Sequence, residues 1–120
     1  MRGKQYLKNS AQFSLVYEKG RSWATDLLVM KALANGLDFS RFGFSISRRV
    51  GGAVVRNRLK RQLREIMRQA PVKAGWDIIY IVRPTASGAS YQGLEKKARD
   101  LLVRAKLLAE GHEGISLKID

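Results

Sequence analysis

Between Arg48 and Arg68 the chain carries Arg48, Arg49, Arg56, Arg58, Lys60, Arg61, Arg64 and Arg68 against a single acid, Glu65. A planar guanidinium grips two phosphate oxygens at once or stacks on a base, whereas a lysine offers a point charge. A block of like charge this dense repels itself unless a polyanion receives it. The chemistry on offer is therefore phosphate recognition, and the excess of arginine over lysine favours structured RNA. Gly51 and Gly52 stand just before the basic run. They either let the backbone approach a phosphate at a helix start or simply turn the chain from strand to helix, and both readings stay open. The Gly-Lys-Ser/Thr ending of a nucleotide-binding phosphate loop is absent.

Other chemistries lack their parts. There is no cysteine, so no thiolate nucleophile, disulfide or cysteine metal site. The one histidine, His112, lies between Gly111 and Gly114 and reads as a surface residue without a role. Asp26, Asp38, Asp77, Glu95 and Asp100 show no repeated spacing that would gather carboxylates for two-metal hydrolysis. A self-sufficient protein nuclease is disfavoured; a purely structural RNA binder, such as a ribosomal protein, stays open on composition alone. The whole chain of 120 residues has a net charge of +13, and 45% of it is apolar, enough for a core within one domain, residues 1–120. The opening MRGKQYLKNS lacks an apolar signal core, and no run approaches the roughly 18 apolar residues of a membrane span, so a soluble, cytoplasmic protein is expected.

The elements that must position the basic residues follow from periodicity. Asn9 or Ser10 caps a first helix carrying Phe13, Val16 and Tyr17 on one face and ended by Gly20. Residues 23–34 alternate as a strand, counted as two. Asn35-Gly36 predicts a hairpin turn into a returning antiparallel strand with Phe42, Phe44 and Ile46 on one side. Residues 53–69 form a helix halted before Pro71, with Val55, Leu59, Leu63 and Ile66 facing the sheet and Asn57 set within the basic face. Asp77 to Val82 is a further strand, and Tyr91 to Ala109 a last helix. The fold class is α/β, an α+β sandwich of about four strands and three helices in the order α-β-β-β-α-β-α. Trp23 and Trp76 sit at strand starts, where packing is the ordinary role.

The run GFSISRRVGGAVVRNRLKRQLRE, Gly43 to Glu65, resembles the signature of the bacterial ribonuclease P protein subunit, with Arg56-Asn57-Arg58 at its centre. The early helix with Phe13 and Tyr17, the Asn35-Gly36 turn, the Trp76 to Pro84 strand and the final helix match that family's layout over nearly the full length. The basic pair is Arg48-Arg49 where lysines are common in the family, and the aromatic pair is Phe-Tyr rather than two phenylalanines. The resemblance implies a partner, the catalytic RNA, that holds the magnesium ions and cuts the 5′ leader from precursor tRNA; no membrane or small-molecule substrate is implied. It assigns Arg56, Asn57, Arg58, Lys60, Arg61, Arg64 and Arg68 to the catalytic-RNA surface. It assigns Phe13, Tyr17, Ser47, Arg48 and Arg49, with Met30 as a further wall, to a groove for the single-stranded leader. By spacing alone the Phe13/Tyr17 pair fits core packing or base stacking, and core packing is the commoner use. A β-α-β crossover is right-handed in about 98% of cases, whereas the resemblance implies the left-handed version for the crossover that carries the basic helix.

Overall fold

A computed structural model describes residues 5–109. Five strands form one mixed sheet in the order β1-β4-β5-β3-β2, where β1 is Gln5–Tyr6, β2 Arg21–Ala24, β3 Leu28–Ala34, β4 Arg41–Ser45 and β5 Trp76–Val82. Three helices, α1 (Ser10–Lys19), α2 (Ala53–Gln69) and α3 (Tyr91–Arg104), pack on it, and a short 3-10 turn spans Pro84–Gly88. The sheet divides two cores. Leu28, Met30, Ala32, Phe42, Ile78, Tyr80 and Val82 face α2 and α3, where they meet Leu59, Leu63, Ile66, Leu94, Leu101 and Leu102. On the opposite face a smaller cluster of Leu7, Val16 and Ile79 is joined by Phe13, Leu33 and Ile81 under α1.

The local chemistry of each helix explains its limits. Asn9 is extended and its Oδ1 accepts the Gln12 N–H at 3.0 Å, while Gln12 Oε1 accepts from the Asn9 N–H, a complete capping box. At Gly20 a Cβ would stand 2.6 Å from the Val16 carbonyl oxygen and 3.0 Å from that of Ala32, so glycine lets α1 end against β3. Helix α2 has the expected bounds. It starts at Gly52 without a side-chain cap and stops at Ala70, before Pro71.

Three expectations are corrected. The sheet has five strands, not about four, because Gln5–Tyr6 adds a parallel edge strand beside β4; two residues are too few to show alternation. The Asn35-Gly36 turn does not join hydrogen-bonded neighbours. Strand β5 lies between β3 and β4, antiparallel to the first and parallel to the second. Asn35 instead bridges over the start of β5: its N–H donates to the Gly75 carbonyl and its Nδ2 to Asp77 Oδ1 at 2.8 Å. The true hairpin is β2/β3, turned by Thr25, whose Oγ1 accepts from the N–H groups of Leu27 and Leu28. Finally, α3 ends at Arg104 rather than Ala109. Lys106 takes φ +60°, the Lys106 N–H bonds Val103 and the Leu107 N–H bonds Leu102, a Schellman closure that sends Leu107 and Leu108 back into the core.

Candidate nucleic-acid interface

Helix α2 links the parallel neighbours β4 and β5. Leu59, Leu63, Ile66 and Met67 are buried, and Val55 packs against the core at the helix start. Steps of three and four place Asn57, Lys60, Arg61, Arg64 and Arg68 along one outer stripe, all exposed. Among the described residues Glu65 is the only acid ion-paired on this helix. It lies bidentate against Arg68, at 2.6 and 3.1 Å, and also accepts from Gln69 at 2.5 Å. Hydrogen bonds from Arg68 first, then Gln69, hold the Glu65 carboxyl below its ordinary range. Helix α3 is built differently. Its charges are compensated, Arg99 by Glu95 and Lys96 by Asp100 within the helix and Lys97 by Asp26 outside it, as on a face made for water.

Not every α2 cation joins the stripe. Arg58 turns to the other flank, where its NH2 donates to the Ser87 carbonyl at 2.6 Å, and Arg56 Nε folds back on the Gly51 carbonyl at 3.0 Å. Arg48 and Arg49 are exposed in a tight turn, closed by the Val50 N–H on Ser47 and the Gly51 N–H on Arg48, and Val50 is driven into the core as its anchor.

On the other face α1 covers the sheet only in part. Phe13 lies on Gly43, where a Cβ would meet the ring at 2.6 Å, so glycine is what lets the aromatic rest on the sheet. The Phe13 and Tyr17 centroids stand 6.4 Å apart, with Phe13 half-buried and Tyr17 exposed at 39%. Strand register sets Val29, Ile81 and Ser45 in one row beyond Phe13, half-buried on this face, and the chain continues from Ser45 to Ser47, Arg48 and Arg49. A partly exposed aromatic pair, half-buried apolar residues beside it and cations further along the chain are the side-chain types that suit an unpaired strand. Met30 does not belong with them. Its side chain is fully buried among the core residues facing α2 and α3, because even-numbered β3 residues point away from α1.

A sequence profile of the Ribonuclease P family matches residues 1–106. A ribonuclease P protein component from Dehalococcoides mccartyi is 40% identical over 120 residues, covering all of both chains, and one from Alkaliphilus metalliredigens is 36% identical over 111. The chain belongs to the ribonuclease P protein family. Solved structures of family members agree with this fold. That of the Thermotoga maritima protein has a TM-score of 0.77 at 32% identity, over 83% of this chain and 96% of its own. A Staphylococcus aureus RNase P protein mutant with defective mRNA degradation activity gives 0.79 at 31%, over 86% and 89%.

In this member of the family, the residues that sequence reasoning missed are Val29, Ile81, Ser45 and Lys31, which stand beside Phe13 on the α1 face of the sheet. Alternation separates the two faces of a strand, but it does not say which helix covers which face. The signal that finds them is Gly43, whose register row, Lys31–Ile79–Gly43, lies under the aromatic. Trp23 and Trp76 are half-buried against the larger core, and Arg21 stands over the Trp23 ring at 5.4 Å. Among the described residues no group of three or more His, Asp or Glu side chains gathers to hold a metal ion; His112 lies outside the described residues. No described helix is long and apolar enough to cross a membrane.

Proposed function

We propose that the chain is the RNA-binding subunit of ribonuclease P, docking on the catalytic RNA through α2 and holding the 5′ leader of precursor tRNA in the groove beside α1. One observation carries the reading: a stripe of cations in which only Arg68 has a carboxylate partner among the described residues lies on one side of the sheet, and the Phe13/Tyr17 aromatic pair lies on the other. Two RNA segments can then be held at once. Arg61, Arg64 and Lys60 neutralise phosphates of the partner, and Asn57 adds amide hydrogen bonds within the same stripe. Phe13 and Tyr17 supply stacking surface, tolerant of sequence because every base has a π-face, while Arg48 and Arg49 take leader phosphates.

In this reading the protein adds affinity and placement rather than reacting groups. The RNA holds the magnesium ions and performs the cut that leaves the mature 5′ end. Tyr17→Ala tests the groove. In the assembled ribonucleoprotein it weakens binding of precursor tRNA by about 1–3 kcal/mol and leaves mature tRNA binding unchanged. Equal loss for both substrates would place Tyr17 in packing alone and remove the leader from this face.

A further inference from the structure

Strand β1 ends at Tyr6, opposite Phe42, but β4 runs on to Ser45, so from Gly43 onward the outer edge of β4 has no strand beside it among the described residues. The gap is a shallow groove lined by Tyr6, Phe44, Gly43, Lys60 and Arg64, with Phe13 at its far end. Tyr6 and Phe44 are both half-buried, with centroids 6.2 Å apart and rings tilted by 54°. The Arg64 guanidinium lies 5.3 Å from the Tyr6 centroid. Neither Lys60 nor Arg64 pairs with a carboxylate among the described residues.

We propose that this groove receives one unstacked nucleotide of the catalytic RNA, its base on the Tyr6 and Phe44 rings and its phosphate between Lys60 and Arg64. Two half-buried aromatic rings at the sheet edge, bounded by cations that pair with no carboxylate among the described residues, match a base and its phosphate. The occupant is the RNA that α2 meets, because Lys60 and Arg64 belong to the same exposed stripe as Asn57 and Arg61. The site meets the groove assigned to the leader at Phe13 and Gly43, and it rests on the RNA-binding reading of α2.

The test uses the full chain bound to its catalytic RNA. Zero-length ultraviolet cross-linking followed by peptide mapping is expected to place a nucleotide adduct on Tyr6 or Phe44. Tyr6→Leu is expected to weaken RNA binding about tenfold with an unchanged salt slope, and Tyr6→Phe to bind as the wild type does. Adducts confined to other peptides, or wild-type affinity in Tyr6→Leu, would overturn the proposal. The adduct is read on the wild-type chain, so a Tyr6→Leu protein that misfolds does not obscure the answer. Wild-type protein that binds the RNA without these signs would sink the nucleotide site alone; failure to bind the RNA at all would sink the subunit reading with it.

Discussion

Arg61 and Arg58 look alike in the sequence and differ in what holds them. Arg61 is exposed and makes no ion pair among the described residues, whereas Arg58 is tied to the Ser87 carbonyl and braces α2 against the 3-10 turn. Arg61→Gln is therefore expected to make the salt dependence of RNA binding shallower by about 0.7–0.9 in log–log slope, one phosphate contact, with thermal stability unchanged. A titration of affinity against salt checks it, and an unaltered slope would remove Arg61 from the interface. The basic set was legible in the sequence as residue types. Its division was not, because a side chain's partner such as Ser87, 29 positions away, lies outside any local window.

At the scale of elements, the placement of α1 depends on two small contacts. The capping box at Asn9 sets where the helix begins, and the bare Cα of Gly43 sets how closely Phe13 approaches the sheet. Gly43→Ala forces the ring outward, and the overpacking is expected to cost about 1–3 kcal/mol in chemical denaturation. It should also reduce the advantage of precursor over mature tRNA, since Phe13 no longer lies over the groove floor. Unchanged stability and substrate preference would show that the ring moves freely. Helix α2 was readable from end to end because its apolar stripe, basic face and Pro71 stop agree with one another. The neighbours of β4 were not readable: strand pairing is non-local, and the Asn35-Gly36 signal reports a turn without saying which strand fills the gap.

For the molecule as a whole, one sheet separates a large core from a small one, and the large core holds a buried phenol. Tyr80 is fully buried and its hydroxyl donates to the Ala98 carbonyl at 2.9 Å. Burial pushes its pKa far above the ordinary tyrosine range. The folded state thus keeps a proton that the unfolded chain gives up, and this contribution, complete below the unfolded value of about 10, is lost as pH rises past it. Above about pH 10 the wild type should lose about 1.4 kcal/mol per pH unit more than Tyr80→Phe, measured by denaturant unfolding across alkaline pH; parallel curves would mean that the phenol titrates in the folded state. The same sheet gives the protein its two unlike surfaces, the cationic stripe of α2 and the aromatic groove of α1. The most direct measurement of their joint purpose is cleavage of a precursor tRNA by the matching catalytic RNA at low magnesium, with and without this chain, beside the chain alone. Cleavage that rises only when both components are present is the predicted result. Cleavage by the protein alone, or no change on adding it to the RNA, would contradict the account.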